Sequence, residues 1–179
     1  MLAVNGLRWL ARLLSLAGAV GAAVAIVLIV AVILVEVVLR TLFATSTFMS
    51  DELVGYLVAA VGFLPLGYAF ATGGILRVNL LLNMVQARPR LRMAIELGCV
   101  AATLAVVGLL VWYLWGNVAR QYTRGYTSGT MSGIPQWIPT GVMLLGIAIF
   151  WLQVFVYGLG LVTSTERLLV ESQDETAVT

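Results

Sequence analysis

Residues 13–35 read LLSLAGAVGAAVAIVLIVAVILV, a run of 23 positions without one ionisable side chain. A helix rises about 1.5 Å per residue, so about 20 residues cross a hydrocarbon core of roughly 30 Å. Residues 53–76 and 97–119 are two further uncharged runs of spanning length, and a fourth lies within the uncharged stretch 125–165. In lipid every backbone N–H and C=O must be paired within the chain, which leaves helices and closed barrels. These runs lack the two-residue alternation of barrel strands. The sequence therefore predicts an all-α integral membrane protein with four transmembrane helices, at about 13–39, 53–76, 96–119 and 137–163. They form a single domain over residues 1–165, followed by an acidic tail over 166–179.

Composition excludes several function classes. The apolar fraction of 61% and mean hydropathy of +1.04 leave no room for a sizeable soluble catalytic unit, so the chain is not read as an enzyme. All ten basic residues are arginine, and there is no histidine. Haem held by two imidazoles and most catalytic zinc sites are thereby ruled out, and no cofactor is expected. The lone Cys99 sits in an apolar run and reads as a small packing residue. Arg8 and Arg12 precede the first run as they would in a signal peptide. That run is longer than the 7–15 residues of a signal h-region and ends at Glu36 and Arg40, so span one is read as retained.

Arginine placement sets the expected orientation. With the N-terminus inside, Arg8, Arg12, Arg77, Arg88, Arg90, Arg92 and Arg167 are cytoplasmic, against Arg40, Arg120 and Arg124 outside. Seven against three places both termini in the cytoplasm. Trp112, Trp115, Tyr122, Tyr126 and Trp137 then cluster at the outer headgroup level, where amphipathic rings are favoured.

Span one carries Ala17, Gly18, Gly21, Ala22 and Ala25, two interleaved patterns of small residues four apart. Such a stripe lets another helix backbone approach closely, and Gly18, Gly21 and Ala25 are candidate contacts with a partner; abundant Ala and Gly is also ordinary membrane-helix composition. Residues 2–12 form an amphipathic lead-in that either lies at the interface or extends span one. Glu36 and Arg40, four apart, have the spacing of a helical ion pair. Ser50-Asp51-Glu52 opens span two, with Ser50 as a cap and two acids at the positive end of the helix dipole. Arg40, Asp51 and Glu52, with Glu36, are the candidate partner-contact cluster on the outer side.

After Gly73-Gly74, residues 78–86 place Asn79, Asn83 and Gln86 on one helical stripe, which predicts a short interfacial helix between spans two and three. Arg77, Arg88, Arg90 and Arg92 are candidate contacts to anionic cytoplasmic lipid. So small a cluster beside the bilayer does not suit nucleic acid. Residues 121–133 read as a loop, Pro135 as a first-turn proline of span four, and Pro139 as a kink or restart. The tail after Glu166 is polar and net acidic, the composition of a disordered segment.

Taken in order, Glu36-Val-Val-Leu-Arg40-Thr-Leu-Phe43, Asp51-Glu52-Leu-Val-Gly-Tyr56, Gly73-Gly-Ile-Leu-Arg77-Val-Asn-Leu-Leu81 and Gly133-Ile-Pro-Gln-Trp-Ile-Pro139 resemble a known family. It is the small membrane subunit of tripartite ATP-independent periplasmic (TRAP) transporters, the DctQ type. The likeness extends from about Leu13 to Val162. The family usually has a histidine after the paired glycines, an aspartate after the arginine–valine, and a proline early in span four. Here those positions hold Ile75, Asn79 and Leu144 or a neighbour.

The resemblance implies a scaffold subunit in the cell inner membrane, paired with a large DctM-type subunit that holds the substrate and sodium sites. A soluble periplasmic binding protein would deliver an organic acid, a carboxylate or sulfonate, for sodium-driven uptake. Two other readings remain at the level of residues alone. One is a self-contained four-helix transporter, against which Glu36 stands at a span end rather than mid-span. The other is a haem-free membrane anchor of a respiratory complex.

Overall fold

The computed structural model describes residues 2–45, 49–73, 89–129 and 132–177, with side chains for 6–45, 49–73, 93–129 and 132–162. Among these residues the chain is helical, with one isolated β-bridge, Thr127 to Pro135. Four helical stretches are long and apolar enough to cross a membrane: Gly6–Phe43, Ser50–Ala71, Met93–Arg124 and Trp137–Val162. The segment holding the expected interfacial helix lies outside the described residues.

Helix α1 (Leu2–Phe43) is continuous over 42 residues, so the lead-in extends span one. Its inward face is set by Ala11 and Ser15, 0% and 1% exposed, while Leu10 and Leu14, apolar positions of the expected amphipathic stripe, face outward at 47% and 38%. The helix stops at Ala44, which takes the left-handed φ of 49°, and Thr45 N–H closes back onto Leu39 O at 3.4 Å.

Span two is two helical pieces, α2 (Ser50–Phe63) and α3 (Leu66–Ala71). Pro65 has no N–H, and its ring crowds the preceding turn, so the ladder breaks there. The chain still follows a helical path, with Leu64 N–H on Ala60 O at 3.0 Å and Ala69 N–H on Pro65 O at 2.9 Å. The sequence reading took span two as unbroken; Pro65 makes it a kinked span.

Helix α4 (Pro89–Arg124) runs four residues into the expected loop, because no breaker intervenes before Gly125. Gly125 ends it with φ 61°, a conformation that an L side chain resists. The connection then folds back on itself: Ser128 N–H donates to Ile134 O at 2.9 Å and Gln136 N–H to Tyr126 O at 3.0 Å. Pro135 belongs to this turn, and Pro139 to the first helical turn of α5 (Trp137–Ala177). There its missing N–H costs no helical bond, and the helix neither kinks nor restarts. The same helix carries through the segment 166–177 that composition assigned to disorder. From Leu161 onward no Gly or Pro interrupts it.

Helix α5 is the hub of the bundle: it packs on α1, α2, α3 and α4, while α1 packs also on α2 and α3. Lipid offers no hydrophobic drive between helices, so close packing of small and β-branched side chains has to hold them. The buried positions fit that rule: Ala22, Ala25, Ala60, Val100, Val107, Ile147, Ile149, Val154 and Val156. Long side chains face outward, among them Leu42, Leu109 and Trp112. Cys99 also faces outward, contrary to its reading as a packing residue, because Val100 takes the inward position beside it.

Candidate functional site

Polar side chains gather at the two ends of the bundle, with a glycine-lined contact between them. At one end, Glu36 is 8% exposed although it is ionisable. Arg40 Nε donates to Glu36 Oε1 at 2.8 Å, one turn along α1. Ser50 Oγ donates to Glu36 Oε2 at 2.6 Å from the start of α2. Both carboxylate oxygens are thereby used, which is what allows a charge to sit where water is scarce. Ser50 was expected to cap α2; its hydroxyl turns to Glu36 instead, and Met49 occupies the cap position with no side-chain bond. As a cap the Ser50 oxygen would accept from a backbone N–H; here its O–H donates to a carboxylate, a charge-assisted bond.

The neighbouring acid closes a second joint. Glu52 accepts hydrogen bonds from the Tyr56 hydroxyl, on its own helix, and from Ser132 Oγ at 2.6 Å, in the α4–α5 connection. The outer cluster of the sequence reading is thus divided. Glu36 and Glu52 tie elements of this chain together, while the Arg40 side chain is 61% exposed and Asp51 is exposed at the surface. A cavity of about 370 Å³ lies between them, lined by Glu36, Arg40, Ser50 and Asp51 with Ile33, Val37 and Val54.

At mid-bundle the kink of span two is clasped between two glycines. A Cβ on Gly18 of α1 would overlap Leu64 O, and one on Gly146 of α5 would overlap Phe63 O and stand 2.9 Å from Leu64 N. Backbone of span two therefore rests directly on both neighbours. Gly21 faces Leu64 Cδ1, and Ala25 is 4% exposed. The small-residue stripe was read as a partner contact. Gly18 is instead enclosed by this chain's own helices, with the Leu64 carbonyl set on it, and Ala25 is buried as well.

At the other end, Gln153 Nε2 donates to Ser15 Oγ at 2.6 Å and to Ala11 O at 2.9 Å, joining α5 to α1. The Tyr157 hydroxyl donates to Glu96 of α4. Phe70 meets Phe150 and Tyr157 edge-on, at 5.7 and 5.6 Å between ring centres. Trp151 Nε1 donates to Leu104 O at 3.1 Å and lies over Gly108. Sequence reasoning passed over Gly146, Gln153 and Ser132. Gln153 alone left a signal, as a lone amide within an apolar run. Truncation of its amide by Gln153→Leu is expected to lower the melting temperature of the purified chain modestly, by about 1 kcal/mol of helix–helix stability, since hydrogen bonds between membrane helices rarely exceed that.

Of the arginines read as candidate lipid contacts, Arg77 and Arg88 lie outside the described residues, as do the side chains of Arg90 and Arg92. Among the described residues no group of His, Cys, Asp and Glu is placed to hold a metal ion. The geometry is that of a packed helical scaffold whose ionisable groups stand at span ends. Residues 29–162 match the model of the family described as tripartite ATP-independent periplasmic transporters, DctQ component. No curated protein and no solved structure matches the chain.

Proposed function

The chain belongs to the DctQ component family of tripartite ATP-independent periplasmic transporters, and on that premise we propose that it is the scaffold subunit of a sodium-driven uptake system for an organic acid. It is a multi-pass protein of the inner membrane and a transport component. The tripartite family implies a large membrane subunit and a binding protein as partners. In the proposed reading the large subunit carries cargo and sodium, and this chain anchors it. The observation that supports this is the placement of charge. Glu36 and Arg40 form an ion pair at a span end, and no acidic or basic side chain stands near the middle of any span. Translocation paths are marked by intramembrane ionisable groups and broken helices that line a cavity. At the break before Pro65 the carbonyls of Leu64 and Phe63 are covered by Gly18 and Gly146.

In the same proposal both termini face the cytoplasm, as the arginine excess predicts. Family membership sets aside a self-contained small transporter and a respiratory anchor. Proteoliposomes test the proposal. The chain alone should take up no organic anion under a sodium gradient, and uptake should appear when the large subunit and binding protein are added. Sodium-dependent uptake by this chain alone would overturn it.

Arg40 and Asp51 remain the proposed contact with the binding protein or the edge of the large subunit. Glu52 is less suited, since both its oxygens are engaged within the chain. Exposed rim charges act chiefly on encounter rate. Asp51→Arg is therefore expected to slow uptake several-fold at limiting binding protein and low salt, and to leave the maximal rate and subunit assembly unchanged. Equal uptake across salt and binding-protein concentrations would reduce Asp51 to a helix-dipole role.

A further inference from the structure

The end of the bundle opposite Arg40 holds a second cavity, of about 380 Å³, bounded by α1, α3 and α5. Its wall combines two cations, Arg8 and Arg12, with the polar side chains of Gln153 and Tyr157 and the apolar Phe70 and Leu161. Among the described residues neither arginine has a carboxylate partner, the one ion pair being that of Arg40 with Glu36. The nearby Glu96 carboxylate is engaged by the Tyr157 hydroxyl. Arg8 is exposed, yet its guanidinium reaches α5: a Cβ on Gly160 would stand 2.6 Å from Arg8 Nη2. Trp9, between the two arginines, is 64% exposed, which marks the headgroup level where indole rings settle.

We infer that this cavity binds the phosphate of an anionic phospholipid, with Arg8 and Arg12 on the headgroup and Phe70 and Leu161 against its glycerol and upper acyl carbons. Guanidinium groups pair with phosphate through charge-assisted, forked hydrogen bonds. Basic pockets between membrane helices at the headgroup level are suited to such lipids. Two arginines one helical turn apart, one of them reaching across to Gly160, both line the cavity. The amphipathic lining matches a molecule that is anionic at one end and apolar at the other, which a free phosphate is not. Lipid seated here would bridge the lead-in of α1 to α5.

Native mass spectrometry of the full chain in detergent tests this. Dioleoyl-phosphatidylglycerol is the ligand, dioleoyl-phosphatidylcholine the zwitterionic comparison, and glycerol 1-phosphate the soluble competitor. The expected result is one phosphatidylglycerol retained per chain in preference to phosphatidylcholine, unaffected by glycerol 1-phosphate. The Arg8→Ala/Arg12→Ala pair should lower that retention by about tenfold or more. The Arg120→Ala/Arg124→Ala pair, which removes the same charge at the other end, should leave it unchanged. Arg8→Gln/Arg12→Gln keeps the side-chain stems and answers the question if the alanine pair does not fold. Equal retention of the two lipids, or equal loss with both arginine pairs, would overturn the assignment. Displacement by glycerol 1-phosphate would show a site for soluble phosphate and overturn it as well.

Discussion

Gly146→Leu is expected to abolish recovery of the folded chain, the largest single-residue effect this bundle offers. A side chain at 146 would meet not a flexible neighbour but the carbonyl of Phe63 and the amide of Leu64, both backbone. These atoms cannot yield without moving the whole of span two, which is held on its other face by Gly18. Overpacking a well-packed contact costs about 1–3 kcal/mol when side chains can shift, and more when they cannot. With close approach as the main attraction between helices in lipid, that loss is not offset by burial elsewhere. The measurement is the monodisperse fraction and melting temperature of the purified chain. Gly18→Leu should act likewise through Leu64 O. Gly141→Ala is the control, since a Cβ there meets nothing within 4 Å, and it should be silent or slightly stabilising. A Gly146→Leu chain that melts like the parent would mean that span two does not rest on α5.

Glu36→Arg ranks second. It would place two guanidinium groups one turn apart, replace a carboxylate that accepts from Arg40 and Ser50, and do so at a site only 8% exposed. The new guanidinium at 36 would sit buried without a carboxylate partner, which is strongly disfavoured, whereas the exposed Arg40 loses only a solvent-screened contact. The α1–α2 hairpin should loosen, read as proteolytic cleavage between Phe43 and Ser50 and a fall in melting temperature. The exchange Glu36→Arg/Arg40→Glu restores the pair with its order reversed and should recover part of the loss. It would not recover Ser50's bond in full, since Ser50 would then face the arginine. A double exchange no better than Glu36→Arg alone would place the effect in the Ser50 bond or in burial rather than in the pair.

The four spans were legible because length and apolarity act locally. A run such as 13–35 has one low-energy state in lipid whatever surrounds it. The pairing of Glu36 with Arg40 was legible for a related reason, since the helix itself sets the spacing of residues four apart. The family was legible as well, because its motifs are short and lie in order along the chain. The direction of the small-residue stripe was not. Gly18 looks the same in sequence whether it meets a foreign helix or its own, and only the packing of span two decides, by setting the Leu64 carbonyl on it. Nor could the sequence tell that Ser50 would leave its helix end for Glu36, that Glu52 would find Ser132 eighty residues away, or that Gln153 would reach Ala11 and Ser15. The sequence by itself determined the helices, their span of the membrane and the charges at their ends, all properties of residues within a few turns of one another. Which face of each helix is inside was decided by the tertiary structure alone, because in lipid an inward and an outward apolar face have the same chemistry and differ only in what approaches them.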